Sequence, residues 1–193
     1  MSEKLIALEK IKKQAQNCSA CELGKTKTNL VFSDGSPNAK IFLIGEAPGA
    51  DEDMSGVPFV GRAGKLLNQF LEQAGINRQK DLYIANILKC RPPQNRTPLP
   101  CEKNACFEFL KQQIEIVNPE IIILCGSCAM SMFLQQKQPI SKVRGQWFDY
   151  QNGIKMIPIF HPSYLLRNHS IESGKPRALT LSDLIKIKEL ANL

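Results

Sequence analysis

Seven cysteines stand out first: Cys18, Cys21, Cys90, Cys101, Cys106, Cys125 and Cys128. Two pairs have Cys-x-x-Cys spacing, which suits metal ligation or thiol redox exchange. The charged N-terminus has no apolar core of the kind an export signal needs, and a reduced compartment disfavours a disulfide framework. With two pairs competing, the ligand set depends on where the fold places each thiol. A second group of residues follows short apolar runs: Glu46 in Gly45-Glu46-Ala47-Pro48-Gly49, Asn86 after Tyr83-Ile84-Ala85, and His161 in His161-Pro162-Ser163-Tyr164. A carboxylate, an amide and an imidazole can together handle protons, read polar edges and stabilise developing charge. Singly, each reads equally well as a turn or loop residue. Gly56-x4-Gly61 has the glycine spacing of a phosphate loop, but Arg62-Ala63 replace the Lys-Ser/Thr that phosphate and Mg²⁺ require. No nucleotide cofactor is expected.

These residues need elements to hold them. Leu5, Leu8, Ile11 and Ala15 recur at helical spacing and predict a helix running into the first cysteine pair. Ile41 to Ile44 predicts a buried strand that opens into the Glu46 loop. Leu66, Leu67, Phe70, Leu71 and Ala74 predict its crossover helix, with Gly75 at the C-terminal cap. Leu82 to Ala85 predicts a second strand, followed by a Pro-rich loop from Arg91 to Pro100. Cys106, Leu110, Gln113, Ile114 and Val117 predict a helix stopped by Asn118-Pro119. Glu120 to Leu124 predicts a third strand, with Cys125 and Cys128 near the start of the next helix. Trp147 to Tyr150 and Ile154 to Phe160 flank Asn152-Gly153, a type I′ hairpin signal, and Pro158 suits an edge or strand end. Leu181, Leu184, Ile185 and Lys188 mark a closing helix. The alternation predicts an α/β fold: a three-layer α/β/α sandwich with a mainly parallel, about four-stranded central sheet, forming a single domain over residues 1–193. In such sheets the ligand site lies beyond the carboxyl ends of the strands, where Glu46, Asn86 and His161 converge.

Composition sets the outer bounds. The 193 residues are 43% hydrophobic and 22% charged, ordinary values for a folded chain. No apolar run approaches the roughly 20 residues that cross a bilayer, so no membrane association and a cytoplasmic location are expected. Lys plus Arg exceed Asp plus Glu by 25 to 18, a formal charge of +7, which favours an anionic partner without identifying it.

Taken together, these blocks resemble the family 4 uracil-DNA glycosylases, the iron–sulfur class. The resemblance runs from about Cys18 to the final helix. It is carried in order by Gly45 to Gly49, by Gly56-Val57-Pro58-Phe59-Val60-Gly61, by Asn86, by Lys89-Cys90-Arg91-Pro92-Pro93 and by His161 to Arg167. It implies excision of uracil from DNA in base excision repair, leaving an abasic site, by a monomer associated with the nucleoid. The base must be flipped into a pocket to be read. There the resemblance assigns Asn86 to the uracil edge, Phe59 to stacking, His161 to the charge developing on the leaving base, and a backbone N–H of the Glu46-Ala47 turn to the same edge. Glu46 and Glu52 are both candidates for orienting water or stabilising the sugar cation, and Glu52 also for crowding the methyl group of thymine. Leu165, Leu166 and Arg167 would enter the minor groove, while Lys142, Arg144, Lys175 and Arg177 would form a phosphate-facing patch.

For the metal, the resemblance implies Cys18, Cys21, Cys90 and Cys106 as ligands of a [4Fe–4S] cluster, a structural tie that would bring Arg91 and Arg96 toward the DNA backbone. Spacing alone equally allows zinc. The competing reading is a non-catalytic iron–sulfur protein on the same scaffold that binds DNA or carries electrons. A third, a relative that crosslinks to abasic sites through a histidine near the third cysteine, is disfavoured because Arg91 to Ala105 contain none.

Overall fold

A computed structural model describes residues 2–134 and 137–193. The β-branched runs form the middle of a sheet because buried strands favour Val- and Ile-type side chains on both faces. In chain order the strands are β1 (Asp34–Gly35), β2 (Ile41–Gly45), β3 (Leu82–Asn86), β4 (Ile121–Cys125), β5 (Phe148–Asp149) and β6 (Lys155–Ile159). They lie in the order β1-β3-β2-β4-β6-β5. The inner four are parallel, with Gly45 opposite Asn86 and Cys125 opposite Ile159, so their carboxyl ends share one rim. The two outer strands are two-residue antiparallel pieces. The parallel core matches the expectation, and β1 is an addition too short for any alternating pattern.

The helices are α1 (Glu3–Gln16), α2 (Leu23–Thr26), α3 (Ala50–Ser55), α4 (Arg62–Gln73), α5 (Arg78–Asp81), α6 (Pro100–Val117), α7 (Ser127–Phe133), α8 (Ile140–Val143), α9 (Pro162–Leu165) and α10 (Pro176–Leu190). Successive strand residues point to opposite faces. Ile41 and Leu43 pack with Leu67, Leu71, Leu184 and Ile187 from α4 and α10. Phe42 and Ile44 pack with Leu8, Leu110, Ile114 and Met130 from α1, α6 and α7. This division makes the three layers. Leu67 and Leu71 are each 1% exposed, and truncating such a leucine to alanine costs about 2–5 kcal/mol.

The turn signals hold in detail. Gly75 follows α4 in the left-handed region. Asn152 and Gly153 both have positive φ, the type I′ geometry, and the Ile154 N–H closes the turn on the Gln151 carbonyl. β5 covers only Met156 and Lys155, so Pro158, opposite Leu124 of β4, lies beyond the stretch that β5 pairs. α6 begins at Pro100, where the Pro-rich loop was expected to end, because Pro100 suits a first turn and Glu102 caps it by accepting the Leu99 N–H. Among the described residues no helix is long and apolar enough to cross a membrane.

Candidate active site

Each strand of the parallel core delivers a polar group to one rim. β2 ends at Gly45-Glu46, β3 at Asn86, β4 leads through Gly126 into Ser127 and Cys128, and β6 leads into His161. They line one cavity of about 890 Å³ with Ala47, Glu52, Phe59 and others. The structure thus brings together Glu46, Ala47, Glu52, Phe59, Asn86 and His161. Gly45 is required here, because a Cβ would overlap Asn86 Oδ1 and the tip of the Phe59 ring. Both side chains therefore converge on the space above its Cα. Gly126, at φ +94°, leaves room for the β-carbon of His161.

His161 lies two residues past β6 and caps the start of α9. Its Nδ1 accepts the Ser163 N–H at 3.2 Å and lies 2.8 Å from the Ser163 hydroxyl. A ring nitrogen that accepts a backbone N–H carries no proton, so a neutral imidazole holds its proton on Nε2. Burial pushes its pKa down to about 4, against the opposing pull of Glu52, so the ring is neutral near pH 7.

The two glutamates, equal in sequence, are separated by their surroundings. Glu52 Oε1 accepts the N–H groups of Val60 and Gly61 at 2.9 and 2.8 Å, and Oε2 accepts that of Gly49 at 3.1 Å. Its carboxylate is committed to holding two loops. Glu46 has no such backbone bonds among the described residues. Burial raises its pKa, while the adjoining Cys128 thiol and the Lys103 charge act in the opposite direction.

Phe59 sits in the left-handed region, at φ +54°, a conformation that a bulky residue adopts only when held. It is held from two sides. Glu52 takes the following N–H groups, and Arg78 donates to the carbonyls of Pro58 and Phe59 at 2.6 and 3.1 Å while pairing with Asp34. The Phe59 ring lies 5.8 Å from the His161 ring, centre to centre.

Other expected residues divide. Leu165 does not face DNA: it is fully buried in the core beneath α4, because α9 is a helical turn that points it inward. Leu166 is partly buried against the same core, while Tyr164 and Arg167 are exposed and line the cavity mouth. The expected phosphate patch loses two members. Arg144 is bonded to the buried Asp183 and to the Leu179 carbonyl, and Arg177 donates to the Leu165 carbonyl, so both hold the fold. Arg96 reaches the mouth but is forked onto Glu102. Ser163 and Cys128 were missed by sequence reasoning. A polar residue two places after His161, just past Pro162, was the available signal for Ser163; none existed for Cys128, since its thiol reads as redox or filler.

Away from this rim, Cys18, Cys21, Cys90 and Cys106 line a small second cavity with Ala15, Gly24 and Phe109. Cys101 is exposed and Cys125 buried, and neither lines it.

A model of the uracil DNA glycosylase superfamily matches residues 32–185. The chain is 48% identical over 182 residues to a type-4 uracil-DNA glycosylase of Thermotoga maritima, covering 94% of this chain and 93% of that one. It is 40% identical over 191 residues to the type-4 enzyme of Archaeoglobus fulgidus, covering 95% and 93% respectively. A type-5 uracil-DNA glycosylase of Thermus thermophilus is 27% identical over 178 residues, covering 82% and 79%.

Proposed function

The chain belongs to the uracil-DNA glycosylase superfamily, beside its type-4 enzymes, and from that premise we propose that it flips uracil into the strand-end cavity and hydrolyses the N-glycosidic bond. The observation that carries the site assignment is the convergence of Asn86, Phe59, Glu46 and a neutral His161 on one rim. Asn86 offers an acceptor for uracil N3–H and a donor for O4, a pattern that cytosine reverses. Phe59 stacks on the base. The Nε2–H of His161 donates to O2, where negative charge grows as the bond breaks. A neutral donor is fully available at neutral pH and costs no reorganisation. Glu46 is the acid we assign to the sugar side: its carboxylate, free of backbone N–H bonds among the described residues, faces the oxocarbenium ion and orients the attacking water. Glu52 instead walls the pocket, its oxygens occupied by three N–H groups. Ala47 leaves its backbone N–H as a further donor to the base edge. Arg167, Tyr164 and Leu166 are the members of their loop we assign to the DNA surface.

We assign the thiol cavity to a [4Fe–4S] cluster held by Cys18, Cys21, Cys90 and Cys106. The four line one cavity, as the four thiolate ligands of such a cluster must, and the type-4 relatives support iron and sulfur over zinc. Held by these four thiols, the cluster would crosslink the segment after α1, the loop after β3 and α6.

The test is incubation of anaerobically purified protein with a uracil-containing oligonucleotide and matched thymine and cytosine controls, followed by alkali. Uracil-dependent strand cleavage only after alkali is expected. No cleavage by protein with full iron would overturn the reading.

A further inference from the structure

One buried cation has no part in the proposed reaction. Lys89 is 1% exposed, three residues after Asn86 and next to Cys90. Burying an amine is costly unless it finds hydrogen-bond partners. Its Nζ donates to the Asn86 carbonyl at 2.7 Å and to Gln113 Oε1 at 2.5 Å. Gln113 is itself buried and anchored, donating to the Phe32 carbonyl and the Tyr83 hydroxyl. The main chain of Lys89 is equally engaged: its N–H donates to Cys106 Sγ at 3.3 Å and its carbonyl accepts the Val31 N–H at 2.9 Å. Between them, the N–H groups of Ile87 and Leu88 donate to the carbonyls of Gly45 and Glu46. Residues 86–89 therefore join the Asn86 strand end, the Glu46 turn and a cysteine of the second cavity by direct bonds.

An apolar side chain would fill the same space without the cost of burying an amine, so the acceptors explain why lysine stands here. Buried as it is, Nζ cannot touch DNA. The peptide plane it grips carries the Asn86 carbonyl, and turning that plane swings the side-chain amide within the pocket. We propose that Lys89 is a positioning residue for base recognition, its amine clamping the Asn86 carbonyl while its main chain seats on Cys106, an inference that rests on Asn86 as the base reader. Both bonds need only two N–H donors, which the amine supplies whether charged or neutral.

Lys89→Met keeps the length and removes the donors. With iron per chain and Tm held near wild type, it is expected to lower kcat/KM on uracil roughly tenfold to a hundredfold, the cost of a small misplacement. Affinity for free uracil, measured by calorimetry, falls with it, and the ratio of uracil to cytosine excision narrows. Wild-type uracil affinity and discrimination in this variant would overturn the clamp, as would a loss that merely tracks iron content across preparations. If Lys89→Met yields no folded protein, Lys89→Gln decides, since its polar tip stops one bond short of the Asn86 carbonyl. Reduced discrimination at full iron supports the clamp and unchanged discrimination refutes it. Wild-type protein that releases no uracil fails the functional reading instead, independently of either variant.

Discussion

The strand-end rim and the thiol cavity lie at opposite ends of residues 86–89 and are built on opposite principles. The rim is wide, assembled from four strands, and its functional side chains differ in what holds them: the Ser163 N–H on His161, three backbone N–H groups on Glu52, burial around Glu46. The thiol cavity is small, lined by cysteines with Ala15, Ala20, Gly24, Ala105 and Phe109, and drawn from the end of α1, the turn into α2, the loop after β3 and the first half of α6. The difference teaches that similar residue types do different work according to whether their polar atoms are left free. Glu46 and Glu52 make the same point within the rim.

The sharpest break between the two regions comes from the cysteines. Cys106→Ala is expected to lose the iron and visible absorption outright, whereas Cys101→Ala keeps both; iron analysis and spectra check this, and full iron in Cys106→Ala would refute the ligand set. Glu46→Gln comes next, with kcat down roughly a hundredfold, the usual scale for a positioned acid–base group. Because burial raises the Glu46 pKa, its carboxylate is lost on acidification before an ordinary one would be. The acid limb of kcat in wild type is expected at a higher pH than an ordinary glutamate would give, and Glu46→Gln removes that limb from the pH profile. Asn86→Asp changes the base profile more than the rate: uracil discrimination against cytosine narrows about tenfold, the scale of one altered hydrogen-bonding group, read from paired oligonucleotides. The smallest effect is on stability. His161 has a pKa of about 4 when folded against an ordinary 6.5, so between these values the unfolded chain binds a proton that the folded one refuses. Stability from this group is complete above about 6.5 and is lost as pH falls to about 4. The Tm of wild type therefore declines more steeply than that of His161→Ala across this window.

Much of this was legible in the chain. Ile41–Ile44, Leu82–Ala85 and Glu120–Leu124 carry short apolar runs that suit buried parallel strands, and the polar residues after the first two mark the rim. What stayed hidden depends on partners remote from each residue. α3 has no apolar periodicity and is held at its start by Glu52, whose Oε2 accepts the Gly49 N–H. Glu52 is committed by N–H groups eight and nine residues away, which no local pattern records. Leu165 beside Leu166 and Arg167 has no periodicity to mark it as core. Lys89, between an apolar run and Cys90-Arg91, reads as a surface charge until Gln113 and the Asn86 carbonyl are placed around it.

The most direct test of the division of labour is single-turnover uracil release by His161→Ala with iron verified per chain. Release about a hundredfold to a thousandfold slower than wild type is expected, the cost of removing one preorganised donor from a developing anion, with oligonucleotide affinity and iron unchanged. Release at the wild-type rate from the iron-loaded variant would contradict the assignment of leaving-group chemistry to the strand-end rim.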